Sequence, residues 1–109
     1  MFDGKEGLGG LLRQAQELQG RLKEVQEQVA RERVTGTSGG GLVKVTATGS
    51  QEIVKVEMDA SLIDPEDTEL LGDLVAAACN DALRRSRELL QQRMSAVTGG
   101  IDPTQLFGG

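Results

Sequence analysis

The chain has 109 residues and a mass of 11.6 kDa, enough for one small domain. Hydrophobic residues make up 38% of it and aromatic ones 2%, Phe2 and Phe107, so any core is aliphatic, and so thin a core favours a homo-oligomer that completes it. Twelve Lys and Arg against seventeen Asp and Glu give a net charge of −5 and a pI near 4.7, which excludes a uniformly basic nucleic-acid coat but leaves room for a local basic patch.

Residues 1–10 are rich in glycine and read as a flexible lead-in. From Leu8 the apolar positions Leu8, Leu11, Ala15, Leu18, Leu22, Val25 and Val29 are spaced by alternating threes and fours, the pattern of a long helix with a narrow apolar seam. Gly20 weakens that helix by about 1 kcal/mol relative to alanine. After Arg33 the period changes. Val34–Thr37 fits a short strand, Ser38–Gly41 a turn, and 42–48 and 53–58 alternate at period two with many β-branched residues. Gly49-Ser50 marks the hairpin loop between them. Val43, Val45, Val54, Val56 and Met58 fall on one face and Lys44, Lys55 and Glu57 on the other, which predicts a half-buried antiparallel sheet. A second long helix is expected from Asp64 as N-cap, with Pro65 at its first position and acids in its first turn. Leu71, Leu74, Val75, Ala78, Ala82 and Leu89 make its apolar stripe. Thr98-Gly99-Gly100 ends it, and 99–109 reads as a flexible glycine-rich tail after a single α+β domain at 1–98.

The chemistry available is narrow. There is no histidine, which removes the usual general base, metal ligand and pH switch together. The single cysteine, Cys79, cannot form an internal disulfide and fits a reducing, cytoplasmic compartment; beside Ala78 it reads as a small hydrophobe, not a nucleophile. Ser38–Gly41 lacks the Gly-Lys-Ser/Thr of a phosphate loop, and Pro65 spoils the acidic run 64–73 as a calcium loop. Gly7-x-Gly9-Gly10 follows no strand, so it is no dinucleotide fingerprint. No catalytic set, metal, cofactor or small-molecule substrate is implied, and no run approaches the roughly 18 apolar residues of a membrane span. The expectation is a non-enzyme.

Charge placement says more than charge total. Residues 59–81 carry seven acids and no base, whereas 82–98 carry Arg84, Arg85, Arg87 and Arg93 against Glu88 alone. A helix dipole favours that polarity, but three arginines within four residues exceed what a helix end requires. On a helical wheel Arg84 lies opposite the apolar stripe, Arg87 toward the polar side, Arg85 at the stripe edge and Arg93 within the stripe. In the first helix, Arg13, Arg21, Lys23 and Arg31 each stand four residues from a glutamate, the spacing of self-neutralising faces. Lys5 and Arg13 have the fewest acidic neighbours there. The candidate residues of a basic patch are therefore Lys5, Arg13, Arg84, Arg85, Arg87 and Arg93, with the basic end of the second helix foremost.

Several stretches resemble the YbaB/EbfC family of bacterial nucleoid-associated proteins. They are Gly41-Leu42-Val43-Lys44-Val45-Thr46, Gly49, Val54-x-Val56-x-Met58-Asp59, and Leu70-Leu71-x-Asp73-Leu74-Val75-x-Ala77-Ala78-x-Asn80-Asp81-Ala82. Met1-Phe2, Gln14-Ala15-Gln16 and Val34-Thr35-Gly36 agree with it, so that the resemblance covers roughly residues 1–98. It departs at Cys79, where many relatives have an aromatic residue, and in the short tail after Ser95. The resemblance implies an α+β protomer with a long N-terminal helix, a three-stranded antiparallel sheet and a long C-terminal helix. It also implies a tweezer-like homodimer that holds double-stranded DNA between helical arms, in the cytoplasm at the nucleoid, without enzymatic activity. The family has no compact signature of DNA-contacting residues, so the six basic positions rest on charge placement. An acidic helical adaptor, using its heptad seam to bind a protein and its arginines only to stabilise helix ends, is the alternative.

Overall fold

The structure, a computed structural model, describes residues 4–99, with side chains from Gly7 onward. The elements run α1 (Gly4–Arg31), β1 (Arg33–Ser38), β2 (Val43–Thr48), β3 (Ile53–Met58) and α2 (Thr68–Val97), with single 3-10 turns at Gly39–Gly41 and Ala60–Leu62. The expected α+β order is present. Helix α1 begins at Gly4 and not at Leu8, so residues 4–10 are helical and not a loose lead-in. Each added residue gains a hydrogen bond once the downstream turns have nucleated the helix, and this carries it through the glycines. Residues 1–3 and the tail 100–109 lie outside the described residues.

The sheet is antiparallel in the order β1-β2-β3. Its hairpin loop closes through the Gln51 N–H on the Thr48 carbonyl at 3.0 Å and the Thr48 N–H on that of Glu52 at 2.8 Å. The register slips between Thr46 and Ala47, which leaves Val54 as the extra residue of a bulge. Alternation on β2 is clean: Val43, Val45 and Ala47 are fully buried, while Lys44 is exposed.

Helix α2 covers β1 and β2 and barely reaches β3. Its Ala78 and Ala82 meet the β2 valines in the core, ringed by Val34, Leu62, Leu74, Val75 and Cys79. The small residues bring the two backbones close. A Cβ on Gly36 would stand 2.6 Å from both the Ala78 carbonyl oxygen and the Ala82 Cα, so β1 needs glycine there. Three hydrogen bonds between α2 and the strands β1 and β2 fix the approach. The Ser38 hydroxyl donates to the Leu74 carbonyl at 2.5 Å, the buried Ser86 hydroxyl to that of Thr48 at 2.7 Å, and the Thr37 N–H to Asp81 at 3.0 Å.

Two expectations need correction. The face shared by Val43, Val45, Val54, Val56 and Met58 is buried only on β2; Val54 (44% exposed), Val56 (38%) and Met58 (44%) lie open because α2 stops short of β3. Helix α2 also starts later than Asp64. Asp64 closes a turn, its side chain accepting from the Glu66 N–H at 2.9 Å and its carbonyl from the Asp67 N–H at 3.0 Å. Asp67 is the N-cap and accepts from the Leu70 N–H at 3.2 Å.

At the far end of the sheet α1 docks. Val29 is fully buried, and Gly49 of the hairpin lies so close that a Cβ there would collide with the Val29 carbonyl oxygen. From Leu8 to Arg21 every residue of α1 is exposed, including Leu8, Leu11, Leu12 and Leu18. Helix α1 is therefore an arm rooted only at its C-terminal turns.

Candidate nucleic-acid interface

The arginines of α2 project from a helix whose opposite side is packed on the sheet, and their neighbours decide how much free charge each presents. Asp81 is the hub. Its carboxylate accepts from the Thr37 N–H, from Arg85 Nε at 3.1 Å and from Arg84 Nη2 at 2.6 Å. The Thr37 N–H above all, then Arg85 and Arg84, pull its carboxyl from 3.8 down to about 2. Arg84 also reaches Glu88 at 3.1 Å, and the two carboxylates hold its guanidinium above the ordinary arginine value, Asp81 contributing most.

These contacts spread the expected cluster unevenly. Arg84 and Arg85 are about half exposed, 55% and 52%, but each shares its charge with a carboxylate. Arg87 is exposed and has no carboxylate within 4.0 Å among the described residues. Arg93 continues the line of the stripe and neither ends it nor joins an exposed arm: its Nη2 lies 2.7 Å from Glu32 Oε1 at the end of α1.

The bases of α1 behave in the opposite way to their spacing. None of the pairs Arg13–Glu17, Glu17–Arg21, Lys23–Glu27 or Glu27–Arg31 closes within 4.0 Å, and Arg13, Arg21, Lys23 and Arg31 all stand exposed. Solvated side chains on an isolated helix lose more entropy in pairing than an exposed ion pair returns. Arg13 is the best placed: from Gly7 to Gln16 it is the sole charged residue, on the side of α1 opposite the apolar seam. The side chain of Lys5 lies outside the described residues. The fold thus brings Arg84, Arg85 and Arg87 together on one stretch of α2 and leaves Arg13 apart, on the arm.

Sequence reasoning missed Ser86, a buried polar residue in the α2 stripe, whose only sign is a hydroxyl among alanines and leucines. It also missed the hub role of Asp81, whose signal is the i, i+3 and i, i+4 spacing to Arg84 and Arg85. An open groove of about 320 Å³ between β1 and α2 is lined by Val34, Thr35, Arg85, Glu88, Leu89 and Gln92 and brings together no nucleophile–base pair. No cluster of metal-ligating side chains occurs among the described residues, and no helix among them is long and apolar enough to cross a membrane.

A crystal structure of an uncharacterized protein from Helicobacter pylori, HP0035, has a similar fold. The TM-score is 0.61 at 25% sequence identity, over 80% of this chain and 98% of that one. The family model for the YbaB/EbfC DNA-binding family matches residues 4–101, from the first turn of α1 to just beyond the end of α2. With nearly its whole length matched, the chain belongs to the YbaB/EbfC DNA-binding family.

Proposed function

We propose that this chain is a nucleoid-associated, non-enzymatic protein of the cytoplasm that binds duplex DNA as a homodimer, through phosphate contacts from exposed arginines. Membership of a DNA-binding family over residues 4–101 carries the reading. The charge geometry refines it. Arg87 on α2 and Arg13 on the α1 arm offer charge that no carboxylate among the described residues shares, and Lys5 is a further candidate by its place in the sequence near the start of that arm. Arg84 and Arg85, shared with Asp81 and Glu88, add to the local field and supply no free contact. Arg93, committed to Glu32, is left out of the contact set. Contacts to phosphate give affinity without reading bases, so binding tolerates many sequences and suits organising the chromosome, with an influence on gene expression as a consequence.

The uncovered face of β3 supports the homodimer. Val54, Val56 and Met58 leave an open apolar face on an edge strand. Monomers seldom leave such a surface in water, and a second copy that buries it also completes the thin core.

A gel shift tests the reading. A mixed-sequence duplex should be retarded and unlabelled duplex of unrelated sequence should compete, while Arg13→Ala with Arg87→Ala should bind more weakly on every duplex. A parent chain that leaves duplex unshifted at low salt would favour the acidic adaptor, with the exposed leucines of α1 as its protein-binding seam.

A further inference from the structure

The direction of the α1 arm is decided at its root. Residues 8–21 are exposed throughout, so among the described residues the arm is held at its C-terminal end, where Leu22, Val25 and Glu32 are partly buried, Val29 meets the hairpin and Glu32 meets α2 at Arg93. Two features there are built and not incidental. Gly49 leaves room for the Val29 backbone and donates its N–H to the Glu32 carbonyl at 3.0 Å, which pins the end of α1 to the hairpin loop. The Glu32 carboxylate then meets Arg93 at 2.7 Å across a sequence separation of 61 residues, and its other oxygen, Oε2, is buried with no hydrogen-bond partner among the described residues. A half-buried carboxylate with one orphaned oxygen depends on its cation, because without it the charge stands partly desolvated. Arg93 also sits in line with the α2 stripe, where an apolar side chain would pack more cheaply.

We propose that Arg93 is a positioning residue: its ion pair with Glu32 sets the angle at which the α1 arm leaves the body of the protein. The lever is long. From Glu32 to Arg13 the helix rises roughly 28 Å at 1.5 Å per residue, so a tilt of about 10° at the root moves Arg13 by roughly 5 Å. A hydrogen bond to phosphate tolerates only a few tenths of an ångström, so such a tilt breaks the contact. The inference rests on the reading that the arm carries DNA contacts, but the geometry of the arm can be measured without DNA.

The experiment uses the full chain with Cys79→Ala, spin-labelled at Gln16→Cys on the arm and Thr35→Cys on β1. Labelled chain is diluted into an excess of unlabelled chain so that only the distance within one protomer is read. Arg93→Ala and the isosteric Glu32→Gln should each broaden or shift the distance distribution by several ångströms, and the exchange of Glu32→Arg with Arg93→Glu should narrow it again. An unchanged distribution in both single variants would overturn the proposal. So would loss of the whole fold in Glu32→Gln, because the pair would then hold the body together and not aim the arm.

Duplex binding across a salt series supplies the second readout. A positioning pair predicts that Glu32→Gln and Arg93→Ala both weaken binding several-fold. If Arg93 instead touches phosphate, Glu32→Gln should strengthen binding by freeing it, while Arg93→Ala flattens the salt slope by about one unit per contact. That pattern would overturn the proposal. A parent chain that does not bind duplex would refute the DNA reading alone, since the label distances still judge the arm.

Discussion

Replacing Gly36 by alanine tests how closely α2 lies on the sheet. The added Cβ would stand 2.6 Å from the Ala78 carbonyl oxygen and the Ala82 Cα, both backbone atoms that no rotamer change can move. Carbon atoms rest at about 3.5–4.0 Å, so α2 must retreat by roughly 1 Å, and a gap of that size forfeits a quarter to a half of each dispersion contact behind it. Overpacking of this kind costs about 1–3 kcal/mol. The retreat also stretches the Ser38–Leu74, Thr37–Asp81 and Ser86–Thr48 hydrogen bonds, each contributing about 0.5–1.5 kcal/mol. Stiffening of the unfolded chain offsets about 0.4–1 kcal/mol. The net loss is about 2–4 kcal/mol, or on the order of 10–25 °C in melting temperature for a domain of this size. Gly20 is the control: it sits exposed in α1 with nothing within 4 Å of its Cβ position, so Gly20→Ala should stabilise by up to about 1 kcal/mol. Thermal melts followed by circular dichroism read both. If Gly36→Ala melts at or above the parent, the close packing of α2 on β1 is wrong.

Val45 and Val56 are paired in register, yet one is fully buried and the other 38% exposed. Val45→Asp should therefore abolish cooperative melting, whereas Val56→Asp should keep a folded circular dichroism spectrum and lower the light-scattering mass from two chains to one. Asp81 titrates lower in the folded chain than its ordinary 3.8, so it contributes stability above that pH which is lost as pH falls through about 2. Asp81→Asn should flatten the dependence of the urea midpoint on pH across that window; an unchanged profile would place the acid sensitivity elsewhere. Cys79→Ala removes one partly buried sulfur at the rim of the core and should cost about 1 kcal/mol or less in a urea melt with duplex binding intact. A folded Cys79→Ala that lost binding would give the thiol a role the packing does not suggest.

The elements were legible because each has its own period. Alternation on β2 named Val43 and Val45, and both are fully buried, as is Ala47 two residues further on. The same alternation on β3 named residues of the same character that remain open, because a pattern states which residues favour burial and not what covers them. The start of α2 was misread for a local reason. Asp64 and Asp67 both suit an N-cap, and only the turn closed by the Asp64 carbonyl separates them. The candidate site was less legible still. Arg84, Arg85 and Arg87 are identical residues within four positions, and their difference lies in Asp81 and Glu88, one helical turn to either side. The partner of Arg93 comes from 61 residues away, beyond any local pattern. Conversely, the glutamates spaced for pairing in α1 leave Arg13, Arg21, Lys23 and Arg31 without a carboxylate partner among the described residues, since spacing permits an exposed ion pair without enforcing it.

The salt dependence of binding to one mixed-sequence duplex bears most directly on the central claim. For the parent chain, log K should fall linearly with log salt, by about 0.9 for each phosphate neutralised. Arg13→Ala with Arg87→Ala should flatten that line by up to about four units in a dimer whose two copies both engage, while Arg84→Ala leaves the slope nearly unchanged. A parent that fails to bind at low salt, or a folded double variant with the parental slope, would contradict the account.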